Sequence, residues 1–187
     1  LTRLIPKDQG NVCLDGKSIY QIPTKEIARR LAILPQNAQC PDALTVEELV
    51  ENGRYPHRRR FSGLTAEDLE VVHWAMKACG VLDFAHREVD SLSGGQRQRV
   101  WIAMALAQKT DMLLLDEPTT FLDIAHQLDI MQLLVQLNRD QGVTIVMVIH
   151  DLNHAAMFSD YVVAVRNGIK EFEGTPRQVI TPEVLRI

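Results

Sequence analysis

A chain of 187 residues and 21.1 kDa suits one ordinary domain, or one domain carrying a sizeable insertion, and leaves little room for two independent enzymes. Apolar residues make up 46% and charged residues 24%, which excludes disordered, collagen-like and low-complexity classes. The formal net charge of −4 supplies no global field toward nucleic acid or anionic lipid, so any such contact has to be local.

In chain order, Leu1 is no initiator, and Leu1 to Ile5 reads as the last turn of an interrupted amphipathic element, so a segment upstream is expected. Asn11 to Leu14 predicts a short strand with a turn at Asp15-Gly16, and Leu31 to Leu34 a second strand stopped by Pro35. From Thr45 to about Ala107 the period becomes helical. Leu69, Val72, Met76 and Cys79 share one face and Val100, Ala103, Met104 and Ala107 another, which predicts a helical insertion.

Met112 to Leu115 is an apolar run closed by Asp116-Glu117-Pro118, and Val143 to Ile149 is a longer one closed by His150-Asp151. Between them, Ile124, Leu128, Met131 and Val135 recur at helical spacing after Asp123, a candidate N-cap. Strands that are apolar without alternation are expected to be covered on both faces, as in parallel sheets flanked by helices, which place polar chemistry at the carboxyl ends of their strands. Asp116, Glu117 and His150 lie at those ends. Tyr161 to Val165, a turn at Asn167-Gly168 and Lys170 to Glu173 then predict a hairpin, followed by short helices from Pro176. No apolar run approaches the roughly 20 residues a bilayer crossing needs. Cys13, Cys40 and Cys79 form no metal-ligand or redox spacing and are expected to be free thiols in a reducing compartment.

An acidic pair closing an apolar strand suits phosphoryl chemistry: Asp116 can hold a magnesium ion through its water shell while Glu117 faces a reacting water. The same pair could be a helix cap or a solvated turn. Leu92-Ser93-Gly94-Gly95-Gln96 supplies glycines that let the backbone approach an anion, with a helix starting near Gln96 aiming amide donors at it. It could equally be a flexible loop before a helix capped by Ser93. A chance match to that pentapeptide in a chain this long is on the order of one in ten thousand.

With that pentapeptide the sequence resembles the ATP-binding cassette (ABC) family. Gln36 in Leu34-Pro35-Gln36 looks like the glutamine loop, Leu92 to Gln96 like the signature motif, and Met112 to Glu117 like the Walker B strand with its catalytic glutamate. Phe121-Leu122-Asp123 resembles the D-loop, with Phe and Leu where Ser and Ala are commoner, and His150 looks like the switch histidine. A narrower resemblance lies in Gly53 to His57, Thr119 to Asp123 and His150 to Ala156, which are similar to ATPases of bacterial importers for ferric siderophores, ferric citrate, haem and cobalamin. The resemblance implies an α/β, P-loop NTPase-like fold with a mainly parallel sheet core at 1–44 and 108–187, flanked by helices, and an inserted helical subdomain at 45–107. It implies ATP and Mg2+ as cofactors. Glu117 and His150 would be catalytic, and Asp116 with Gln36 would complete the magnesium shell. Gln36, Ser93, Gly94, Gly95, Gln96 and Asp123 would contact nucleotide, those of the signature on nucleotide held by the opposite subunit. Implied partners are transmembrane permease subunits, a second copy of the ATPase subunit and, indirectly, a periplasmic or lipoprotein substrate-binding protein, with no nucleic acid. The implied location is the cytoplasmic face of the inner membrane.

The phosphate loop Gly-x-x-x-x-Gly-Lys-Ser/Thr is not in these residues. Gly16-Lys17-Ser18 is a decoy, because the required earlier glycine falls at Asn11 and the intervening residues read as strand and turn. Leu1 to Ile5 resembles the tail of the helix that follows the phosphate loop, so the chain reads as an N-terminally truncated ATPase whose intact parent hydrolyses ATP. This piece is expected to bind ATP weakly and to be inactive. Loss of a central strand is expected to leave an unpaired edge and exposed apolar surface. Competing readings are a catalytically silent ABC-type binding module or a non-transport ABC ATPase. Only 56 positions separate Gln36 from Leu92, which excludes the chromosome-maintenance members with long coiled coils. His73, His86, His126 and His154 read as structural or solvated, Trp74 and Trp101 as packing residues, and His57 to Arg60 as a solvated loop or a contact to a partner or lipid headgroups.

Overall fold

The computed structural model describes residue 3 and residues 9–36, 38–41, 43–59 and 62–185; most of Leu1 to Ile5, and Arg60 in the basic run, lie outside them. Strands β1 (Cys13–Leu14) and β2 (Lys17–Ser18) pair antiparallel around Asp15 and Gly16, whose φ values of 48° and 77° are those of a tight hairpin turn. Lys17 and Ser18 thus belong to a hairpin strand and not to a phosphate loop. Helix α1 (Thr24–Ala28) leads into β3 (Leu31–Leu34).

Three helices follow: α2 (Val46–Glu51), α3 (Ala66–Ala78) and α4 (Gly94–Ala107). Each opens on a reciprocal capping box, Thr45 with Glu48, Thr65 with Asp68 and Ser93 with Gln96, which satisfies two orphan donors at each start. The last box moves the start of α4 to Gly94, two residues ahead of the expected Gln96. On α3, Val71, Val72, Ala75, Met76 and Cys79 are buried, but Leu69 is 46% exposed, contrary to the predicted stripe. At about 100° per residue Leu69 falls on the rim of that stripe, and Asp68 occupies its middle.

Strand β4 (Met112–Asp116) pairs parallel with β3 and with β5 (Thr144–Val148), giving the order β3-β4-β5. The crossover is α5 (Ile124–Gln141), capped by Asp123 and ended by Gly142 at φ 66°. Its buried face is Ile130, Met131, Leu133, Leu134 and Leu137; Met131 belongs to it, Leu128 and Val135 are half-buried, and Ile124 is exposed. The contact face is therefore rotated from the expected stripe. Helix α6 (Leu152–Phe158), the antiparallel pair β6 (Val162–Arg166) and β7 (Ile169–Gly174), and helices α7 (Pro176–Val179) and α8 (Pro182–Leu185) complete the chain, the hairpin and terminal helices as predicted.

One continuous core joins Ala32, Leu34, Leu113 and Leu115 of the sheet to α2, α3, α4 and α5, while Ile33, Met112 and Leu114 on the other face pack against Ile19, Ile22, Ile27 and Leu31. Coverage on both faces holds for β3 and β4 but not for β5. Ile145 and Met147 meet the core, whereas Val146 and Val148 are 44% and 50% exposed, because no described helix crosses their face. Trp101 is buried and Trp74 packs on the core, as expected of packing residues. No disulfide is present among the described residues, and no described helix is long and apolar enough to cross a membrane.

Candidate functional site

Gln36, Glu117 and His150 follow β3, β4 and β5, so the parallel register delivers all three to the same end of the sheet. Gln36 Nε2 donates to Glu117 Oε2 at 2.6 Å, and His150 Nε2 lies 2.5 Å from Glu117 Oε1. The carboxylate therefore joins residues 81 and 33 positions away along the chain. Its side chain is 19% exposed and that of His150 74%, so the histidine stands on the open side.

Local backbone geometry sets this arrangement up. Glu117 has φ 49°, a left-handed value rarely held by a non-glycine residue, and the Thr120 amide closes the turn on the Glu117 carbonyl at 3.2 Å. Thr120 Oγ1 then donates to Glu117 Oε2 at 2.8 Å. Thr120 was not among the sequence candidates. The available signal was its place three residues after an acid in a turn, where hydroxyls bond back to nearby groups. Its bond is foremost in holding the Glu117 carboxyl below the usual glutamate range, followed by the bond from His150, with Gln36 contributing less. The ionised form is thus an acceptor ringed by donors. Asp116 ends β4 in an exposed position, paired in register with Val148.

Ser93, Gly94, Gly95 and Gln96 form a second group at the amino end of α4. Ser93 Oγ accepts from the Gln96 amide at 3.3 Å, and Gln96 Oε1 accepts from the Ser93 amide at 3.1 Å. Asp123 caps α5 and meets His126 Nδ1 at 2.8 Å through each carboxylate oxygen. The His126 amide and then its ring lower the Asp123 carboxyl. Residues 117–126 join the two groups, because this stretch begins at the carboxylate bonded to Gln36 and His150 and ends at a ring packed on Gly95. His126 was expected to be structural or solvated; its ring is part-exposed and packs on Gly95, a neighbour on α4 that was not foreseen. His154 is buried and its ring meets Phe158 edge-on at 5.9 Å, while His57 Nε2 sits 2.8 Å from the Gln108 carbonyl.

The described residues contain no group of three or more His, Cys, Asp or Glu able to hold a metal ion. An exposed carboxylate at the end of β4 and an amide just past the end of neighbouring β3 instead suit a magnesium ion that keeps most of its water and arrives with phosphate oxygens. Gln36, whose amide nitrogen is engaged by Glu117, retains its carbonyl oxygen for such a cation.

Comparison with known proteins shows the family. Residues 1–120 match the family model described as ABC transporter. The chain is 54% identical over 186 residues to the iron(3+)-hydroxamate import ATP-binding protein FhuC of Bacillus subtilis (strain 168), covering 100% of this chain and 69% of that protein. It is 49% identical over 185 residues to the ferric enterobactin transport ATP-binding protein FepC of Escherichia coli (strain K12), covering 99% and 68%. It is also similar to the dimeric post-hydrolysis structure of the ATP-binding cassette MJ0796 bound to ADP and Pi, with TM-score 0.73, 30% identity and coverage of 91% and 75%. The chain spans about two thirds of the length of these curated relatives.

Proposed function

Since this chain belongs to the ABC transporter family of ATP-binding proteins, we propose that it is the main part of the ATP-hydrolysing subunit of a bacterial importer for an iron(III) complex or a related cofactor. The observation that carries this reading is the meeting of Gln36 and His150 on the Glu117 carboxylate at one end of a parallel sheet. The relatives named for import of ferric chelates support the choice of cargo.

In this reading Glu117 orients the attacking water and accepts its proton, an ionised acceptor suiting that task. His150, on the open side, contacts the terminal phosphate, and Asp116 and Gln36 hold the magnesium ion that accompanies ATP. Magnesium supplies neutralisation of phosphate charge; the protein groups position the water and the phosphate. Ser93, Gly94, Gly95 and Gln96 present the amino end of α4 to nucleotide held by a second copy, with Asp123 at the same interface. Residues 45–107 form the helical subdomain that carries this signature. The whole subunit sits on the cytoplasmic face of the membrane against permease subunits served by a substrate-binding protein.

Residues 1–187 carry these groups without a Gly-x-x-x-x-Gly-Lys-Ser/Thr loop, so this chain by itself binds ATP weakly and turns it over negligibly. A fluorescent ATP titration of this chain and of a version joined to a phosphate-loop segment tests that point; equal affinities would refute it. Cargo is tested by uptake of iron-55 bound to a hydroxamate chelator in cells lacking their own importer ATPase. Joined to the phosphate-loop segment and expressed with matching permease subunits, the chain should restore uptake; uptake of other cargo only would overturn the iron reading.

A further inference from the structure

We propose that His126 is a positioning residue that seats the amino end of α4, holding Ser93, Gly94 and Gly95 in fixed relation to Asp123. The functional meaning of that seat rests on the nucleotide-contacting reading of Ser93 to Gln96; its physical content does not. Gly95 is buried and sits in the first turn of a helix, where glycine is less favourable than alanine by about 1 kcal/mol. Space explains its presence. A Cβ at position 95 would lie 2.4 Å from His126 Cδ2 and 2.9 Å from Cγ, closer than real atoms approach.

The ring is oriented against Gly95 because its Nδ1 donates to both Asp123 oxygens and the His126 amide donates to Oδ1 at 2.9 Å. Leu122 adds a second contact, its Cδ2 lying 3.4 Å from where a Cβ on Gly94 would be. Both signature glycines therefore rest on the stretch that carries Asp123. Asp123 fixes the His126 ring and the ring packs on Gly95, so the start of α4 is seated against a side chain whose orientation Asp123 sets.

The test needs no nucleotide. Urea midpoints are compared for the parent chain, Gly95→Ala, His126→Ala and the double variant, and backbone amide resonances of residues 94–96 are followed in each. Gly95→Ala should lower the midpoint strongly when His126 is present and clearly less when residue 126 is alanine, the contact that remains being the Cβ of residue 126 at 3.3 Å. His126→Ala should shift and broaden the resonances of residues 94–96 while leaving those of β6 and β7 in place. His126→Asn, whose amide can still donate to Asp123, should retain more of the parent positions. If His126→Ala does not fold, His126→Ser serves instead, since it lacks an atom at the Cδ2 position and its Oγ can turn away from a methyl group at 95. An equal loss from Gly95→Ala in every background, or unmoved amide resonances in His126→Ala, would overturn the proposal. Neither outcome depends on whether the chain hydrolyses ATP.

Discussion

Removing Arg54 should be among the most damaging single changes available in this chain. Arg54 and Asp68 are 5% and 6% exposed, and Arg54 Nε donates to Asp68 Oδ1 at 2.8 Å while Nη1 donates to the Ala107 carbonyl at 2.9 Å, tying the last turn of α4 to α3. Burial pushes the Asp68 carboxyl up. The Thr65 amide, the Arg54 guanidinium and the Thr65 hydroxyl outweigh burial and bring it down from 3.8 to about 2. That displacement corresponds to roughly 2 kcal/mol of stabilisation by the ionised form. Arg54→Met strands a buried carboxylate and should cost about 3–5 kcal/mol, whereas Arg54→Met with Asp68→Leu should cost much less than the sum of the single changes, the remainder reflecting the lost α3 cap. Because the folded-state value is depressed, this contribution is present above pH 3.8 and is lost as pH falls toward 2. Urea unfolding of the four proteins at pH 7, repeated for the parent between pH 5 and 2.5, measures both effects. Additive losses within about 0.5 kcal/mol, or no steeper pH dependence in the parent than in the double variant, would refute the reasoning.

Gly53→Ala should destabilise the chain by at least about 2 kcal/mol in the same urea experiment, because the new Cβ would lie 2.1 Å from the Met104 carbonyl oxygen of α4, a backbone atom that cannot step aside. Ser93→Ala should lower stability by about 1 kcal/mol through loss of the α4 cap, and Ser93→Asp should recover most of it if capping is the stabilising role. Thr120→Val should lower ATP turnover in the phosphate-loop-bearing protein with little change in ATP affinity, and Thr120→Ser should restore it, as measured by steady-state phosphate release.

The parallel sheet, the helical stretch, the closing hairpin and the ends of β4 and β5 were legible because each is written in local sequence: apolar runs, turn pairs, caps. Gln36, Glu117 and His150 were singled out through motif order, and the fold brings them together because three neighbouring strands end at one edge. The Arg54 to Asp68 pair was not legible. A charged residue in the middle of a helix stripe reads as solvated until its partner, 14 positions earlier, is known to be buried with it. Leu69 and Ile124 were misplaced for a related reason, because periodicity marks an apolar arc but not which part of it the neighbouring elements touch. The contact between Gly95 and His126 depends on where two helices start relative to each other, which no spacing within one chain segment encodes.

The most direct measurement is single-turnover ATP hydrolysis by the phosphate-loop-bearing protein carrying Glu117→Gln, alongside its nucleotide affinity. Loss of the proton acceptor should slow hydrolysis by at least about 100-fold with ATP binding retained, an amide being unable to accept the proton of water at neutral pH. Hydrolysis within a few fold of the parent would contradict the central claim that the carboxylate gathered by Gln36 and His150 performs the chemistry.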